Sequence, residues 1–258
     1  MLTKNQIKEI RSLESKKNRT ISGLFIAEGK KLITELITSK ILIDTIITIE
    51  EFYSGFQKMQ SHTSFEIMIV PKEAINKISL LKSPQGCIAL CKIPTTLFPE
   101  HPAEDNIVFC LDDIQDPGNL GTIVRLADWF GMNDIICSPA SADIYNPKVV
   151  QATMGALSRV HVHYTPLKPF LELQEKRNEP VFGTFLDGED LYKSSLNSNG
   201  IIVMGNEGKG ISEELAPHIK RKITIPHFQF SQQKPDSLNV SIAAAIIVSE
   251  FKRRSITG

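Results

Sequence analysis

Long apolar runs are missing from this sequence. No stretch approaches the roughly 18–20 residues that a membrane-spanning helix needs, although 41% of the chain is hydrophobic. A helical span is therefore not expected, while real cores are. Net charge is missing too: Lys and Arg number 29 and Asp and Glu 29, so whole-chain charge gives no argument for a polyanionic partner. Cysteine is scarce, with four in 258 residues, and there is no CxxC pair. Cys87 and Cys91 have no His or Cys at zinc-finger spacing. With Cys110 and Cys137 they lie in apolar runs and read as buried free thiols of a reducing compartment. No signal-peptide pattern is found, and a cytoplasmic, soluble protein is expected. His161 and His163 share one strand face but lack a third ligand, so no metal is expected and they read as structural. Trp129, the single tryptophan, is expected to pack.

Length suggests one or two domains. Charge is unevenly placed: residues 1–31 hold eight Lys or Arg against three Glu, an excess that could mark a polyanion footprint. Strand-like and helix-like stretches alternate from Leu2 to Cys91, which implies a small α/β domain over 1–93. The Pro-containing stretch 94–105 reads as a linker. Residues 106–258 alternate again through six strands, expected as a mainly parallel sheet with helices on both faces. Helices are expected at Lys148–Leu157 and Ile211–Leu215, and a final one at Ser237–Arg253 with Ser237 as its cap.

Three stretches carry chemistry. The apolar strand Ile107–Leu111 ends in Asp112-Asp113, and Pro117-Gly118-Asn119 is turn chemistry opening a helix. Leu120, Ile123, Val124, Ala127 and Phe130 form its apolar stripe, and Gly131 is placed to stop it. Arg125 lies off that stripe, so Asn119 and Arg125 can both face a cleft at the strand's carboxyl end, where ligands bind in α/β sheets. The second stretch is the strand Ile201–Met204 running into Gly205-Asn206-Glu207-Gly208-Lys209-Gly210. It matches neither a P-loop nor a dinucleotide fingerprint, which points to a nucleotide-like ligand held by main chain. The third is Ser237-Leu238-Asn239-Val240-Ser241 before an almost wholly apolar helix. Asn239 inside such a helix would be costly unless hydrogen-bonded, which makes it a site candidate.

Together these stretches resemble the SpoU (TrmH-type) family of RNA 2′-O-ribose methyltransferases, of the SPOUT superfamily. Asn119–Ala127, Met204–Gly208 and Ser237–Ser241 resemble its three ordered motifs, and Met154–Val160 also fits. Phe25–Gly29 and Gln85–Ala89 are similar to the ribosomal-protein-like RNA-binding domain of many members. The resemblance implies a SPOUT-type α/β catalytic domain with a carboxyl-terminal trefoil knot, preceded by a small ribosomal-protein-like α/β/α domain. It implies S-adenosyl-L-methionine as methyl donor, held near Thr184, Gly205, Ile225 and Leu238, and a homodimer through the knot and last helix. The loop 227–236 is longer than in many members and has no glycine.

The catalytic set implied is Asn119, Arg125, Glu207, Ser237 and Asn239. A guanidinium does not deprotonate in proteins, so Arg125 is expected to hold the target's phosphate and lower the ribose hydroxyl's pKa. Asn119 would position Arg125 or the ribose, and Glu207 would fix either by charge-assisted bonds. Ribosomal RNA is the expected substrate, by analogy with the ribosomal-protein-like domain. The alternatives are transfer RNA, a non-catalytic RNA-binding factor on the same fold, and a metabolic nucleotide-binding enzyme.

Overall fold

A computed structural model describes residues 2–60, 64–228 and 237–257. The chain divides into two compact units, one of residues 1–96 with 143–159, the other of 97–142 with 160–258.

In the first unit the order is α1 (Lys4–Ser12), α2 (Lys16–Ser22), β1 (Leu24–Glu28), α3 (Lys30–Ile37), β2 (Ile43–Thr48), α4 (Glu50–Met59), β3 (Glu66–Ile69), α5 (Lys72–Ile78) and β4 (Cys87–Lys92). The sheet order is β1-β4-β2-β3; β4 runs antiparallel to β1 and β2, and β3 parallel to β2. Thr3 starts α1 with a full capping box, its hydroxyl accepting from Gln6 N–H while Gln6 reaches back. Such a reciprocal pair satisfies two of the donors a helix start leaves open. Helix α2, which has no apolar stripe, is not foreseen in the sequence. It is held through Arg19, whose buried guanidinium donates to the carbonyls of Leu13 and Glu14, both at 2.8 Å. Arg19 also pairs with Asp143.

Residues 143–159 complete this unit. Helix α7 (Pro147–Thr153), capped by Asn146, packs on β1, and Tyr145 places its ring 4.9 Å from that of Phe25. The sequence predicts a helix running on to Leu157. It stops instead at Met154 (φ 51°) and Gly155 (φ 97°), followed by a 3-10 turn at Ala156–Ser158. A side chain at Gly155 would bring Cβ to 2.5 Å from Glu35 Cδ, and only glycine takes this backbone without strain.

The second unit contains β5 (Ile107–Leu111), α6 (Pro117–Trp129), β6 (Asp134–Cys137), β7 (His161–Tyr164), α8 (Leu167–Lys176), β8 (Val181–Asp190), β9 (Gly200–Met204), β10 (Arg221–Thr224) and α9 (Val240–Thr257). Its six-stranded sheet has the order β10-β8-β9-β5-β6-β7, and every pairing is parallel. All five residues of β5 are buried, as are all five of β9, which is how a strand covered on both faces reads. Val108, Cys110, Ile201 and Val203 join Phe170 and Leu171 of α8 in one core. On the opposite face Phe182 meets Phe251 of α9 edge-on at 5.0 Å, and α6 packs on α9.

Two local expectations fail here. Residues 211–215 form turns rather than a helix, with a 3-10 turn following at Ala216–His218. The cap of α9 is not Ser237 but Asn239, whose Oδ1 accepts from the N–H of Ser241 at 3.0 Å and of Ile242 at 3.3 Å. Asn239 thus stands at the helix start rather than inside it. The longer loop 227–236 falls, from 229 onward, outside the described residues. Trp129, expected to pack, is 84% exposed. All four cysteines are free and buried, and burial pushes the Cys87 thiol up to about 12.

Candidate active site

The site gathers at the carboxyl ends of β5 and β9, neighbours at the centre of the parallel sheet. Here the connection order reverses, the position where such sheets open a crevice. Main-chain bonds hold the strand ends together: Asp112 N–H donates to the carbonyl of Met204 at 2.9 Å, and Ser138 N–H to that of Leu111 at 2.9 Å. The Asp112 carboxylate accepts from Ser212 N–H at 2.7 Å and Oγ at 2.6 Å. Asp113, at φ 54°, accepts from Ser138 Oγ at 2.6 Å.

After β9 the chain turns back on itself. Asn206 and Gly210 exchange backbone bonds of 3.0 and 2.8 Å. Asn206 Oδ1 accepts from Gly208 and Lys209 N–H, and its Nδ2 donates to the Asp113 carbonyl. This closure demands glycine at 205: a Cβ there would lie 2.1 Å from the carbonyl carbon of Gly210, nearer than any real side chain comes. The turn lifts Glu207 out, exposed, toward the start of α6.

There it meets Asn119. Asp116 caps α6, its carboxylate accepting from Asn119 N–H at 2.8 Å. This fixes Asn119 in the first turn. Its Nδ2 donates to Glu207 Oε1 at 2.7 Å, and its Oδ1 accepts from Asn239 Nδ2 at 2.9 Å. Asn239 Oδ1 is engaged in capping α9 and in a 2.6 Å bond from Ser241 Oγ. Glu207, Asn119 and Asn239 therefore form one hydrogen-bonded line joining three distant segments. Ser241 has no place in the expected set, and its hydroxyl is what turns the Asn239 oxygen; the small residue two beyond the Asn is the only trace of it in the sequence.

The other candidates lie around this line without bonding to it. Six residues at 3.6 per turn set Arg125 about 120° around α6 from Asn119. Its side chain is exposed and has no hydrogen-bond or ion-pair partner among the described residues. Ser237 is exposed two residues before Asn239. Thr184, Gly205 and Ile225 follow the paired parts of β8, β9 and β10, three adjacent parallel strands, and so stand on the same edge of the sheet. At Thr184 the pairing of β8 with β10 breaks, jumping from Gly183 opposite Lys222 to Glu189 opposite Ile223.

The backbone bears on what could bind there. The N–H groups of Gly205, Ile225 and Leu238 have no acceptor among the described residues, and the Ile225 carbonyl has only a 3.5 Å contact from Thr224 Oγ1. Main-chain N–H groups left open among the described residues at three strand and helix ends can donate to the acceptor edges of a nucleoside.

Comparison with known proteins agrees. Residues 106–249 match the model of the SpoU rRNA methylase family, and residues 4–89 that of an MRM3-like substrate binding domain. The chain is 28% identical over 253 residues to the 23S rRNA (guanosine(2553)-2′-O)-methyltransferase RlmP of Bacillus subtilis, covering 96% of this chain and 97% of that protein. A solved TrmH-family structure from Porphyromonas gingivalis shares 38% identity at a TM-score of 0.85, over 98% of this chain and 99% of that one. An rRNA methyltransferase from Sinorhizobium meliloti with bound AdoMet shares 29% identity at a TM-score of 0.85, over 98% and 96%. The hydrogen-bonded line, the glycine turn and these matches place the chain in the SpoU rRNA methylase family.

Proposed function

We infer that the chain transfers a methyl group from S-adenosyl-L-methionine to a ribose 2′-hydroxyl of ribosomal RNA. The Glu207–Asn119–Asn239 line, beside main-chain N–H groups that are open among the described residues, carries this reading. S-adenosyl-L-methionine supplies, when bound, an electrophilic methyl on a sulfonium sulfur. Gly205, Ile225 and Leu238 hold the cofactor's base and sugar by main chain, with Thr184 at the pocket's side. Asn119, fixed on both sides of its amide, orients the ribose, and an oriented nucleophile removes much of the entropic barrier. Arg125, exposed and uncommitted, holds the target's phosphate and stabilises the charge that develops as the hydroxyl loses its proton. Ser237 completes the polar rim beside Asn239.

Residues 1–93, completed by 143–159, bind the RNA substrate, 94–105 link, and the rest of 106–258 carries the chemistry. The chain works in the cytoplasm; among the described residues no helix is long and apolar enough to cross a membrane. It pairs with a second copy through the knot implied by the resemblance and through α9. Ile242 is 54% exposed and Leu238 47%, an apolar surface of the kind a partner covers.

Incubating the full chain with ribosomal RNA and labelled cofactor, then mapping ribose methyls, tests this. Matched DNA, lacking the 2′-hydroxyl, should take up no methyl. Methylation of a base atom, or equal labelling of DNA, would overturn it.

A further inference from the structure

At the opposite end of the same sheet, the amino ends of β6 and β7 bring three side chains together. Asp134 opens β6 and His161 opens β7, and the two pair in register; His163 pairs with Ile136. Alternation along a strand puts residues 161 and 163 on one face. A single oxygen, Asp134 Oδ1, lies 2.7 Å from His163 Nε2 and 3.7 Å from His161 Nδ1. The first is a hydrogen bond; the second is too long for one. One ligand atom from each of the three lies within 4.8 Å of the others, and the imidazole rings are 6.2 Å apart at 62°.

The surroundings are graded. The His163 side chain is 4% exposed, with the Phe98 ring edge-on at 5.2 Å. Asp134 is 20% exposed and His161 50%. A fixed imidazole and a carboxylate thus form a wall, with a movable imidazole at the open side. Ligands at about 2.0–2.1 Å from a tetrahedral zinc ion stand a little over 3 Å apart. Reaching that needs only a slight widening of the Asp134–His163 pair and an inward turn of the half-exposed His161. Two imidazoles and a carboxylate are donors for a divalent transition metal, not for Mg2+ or Ca2+. The sequence offers only the two histidines; strand pairing supplies the third donor from 27 positions upstream.

We propose that Asp134, His161 and His163 form a site for one Zn2+-class ion, with water completing its coordination. The site is at the far edge of the sheet from Asn119 and Glu207, so the ion ties edge strand β7 to β6 and takes no part in methyl transfer.

The test uses the full chain, freed of metal by chelator and dialysed. ZnCl2 is titrated calorimetrically, and Co2+ is used as a spectroscopic probe. The expected result is one equivalent bound, tetrahedral Co2+ bands in the visible, and a Tm that rises with Zn2+ but not with Mg2+. Outer-sphere changes alone weaken metal sites about 10–100-fold, so His161→Ala should weaken binding by at least about tenfold. His161 is half exposed, so that variant should fold, and its circular dichroism and metal-free Tm check this. Asp134→Asn provides a second removal. No saturable binding, or unchanged affinity in both variants, would overturn the proposal.

Discussion

Asn119 and Asn239 stand 120 positions apart in the chain, yet one amide donates to the other at 2.9 Å. The bond joins the first turn of α6 to the cap of α9, and the Asn239 side chain serves both. Its oxygen caps the helix and its nitrogen faces Asn119, so the two duties can be separated. Asn239→Ala should lose both, costing about 1 kcal/mol of stability together with turnover. Asn239→Asp keeps the cap but turns an acceptor toward an acceptor. It should keep Tm near the parent value while turnover collapses, and thermal melts beside methyl-transfer assays read the split.

Arg125 has no described partner to leave stranded, so Arg125→Ala should change stability by no more than about 0.5 kcal/mol. Loss of a group that stabilises developing charge typically lowers turnover about 10²–10³-fold. Cofactor affinity by calorimetry should stay near normal. Full turnover in this variant would remove the role given to Arg125.

At Gly205 an added methyl meets backbone rather than a flexible side chain. Gly205→Ala should therefore cost on the order of 1–3 kcal/mol, as overpacked sites do. It should also weaken cofactor binding, because the turn carrying Glu207 has to open. Calorimetry and Tm should move together.

Glu250 is held by a hydrogen bond from Arg253 and by Arg254, against its own burial, and its pKa falls to about 2. A carboxyl lowered on folding adds stability above its unfolded pKa and loses it as pH falls toward the folded one. The contribution should be whole at neutral pH, fall progressively below about pH 5 and be largely gone by about pH 2. Glu250→Gln should destabilise the chain at pH 7 by about 1 kcal/mol and by little near pH 2, read by denaturant titration at both.

Arg19, with a 3% exposed side chain, faces the Asp143 carboxylate. Removing one partner of a buried pair leaves an uncompensated charge and costs about 3–5 kcal/mol. Asp143→Ala should fall near the lower end, because two carbonyls still accept from the guanidinium. Chemical denaturation measures it.

What the sequence made legible was whatever rests on local pattern. The buried strands β5 and β9, the apolar stripe of α6 and the glycine turn after Met204 all follow from spacing and composition. The sequence could not show which residue would cap α9, because Ser237 and Asn239 are both good caps. At the end of α7 the local signal, the left-handed Met154-Gly155 pair, is present but masked by the apolar pattern that runs on to Leu157. Helix α2 is stabilised by one buried arginine rather than by an apolar face, so periodicity passes over it. Residue types named Asn119 and Asn239 as candidates and the family resemblance added Glu207; their order along a single hydrogen-bonded line came from folding.

The membership of residues 143–159 in the first unit bears on any attempt to dissect this protein. An amino-terminal fragment cut at residue 96 would lack α7 and Tyr145, leaving the outer side of β1 and the Phe25 ring bare to water. Arg19 would be deprived of its counter-ion in the same cut. Such a fragment should aggregate or melt early, and supplying 143–159 on a tether, as in a circular permutant, should restore it.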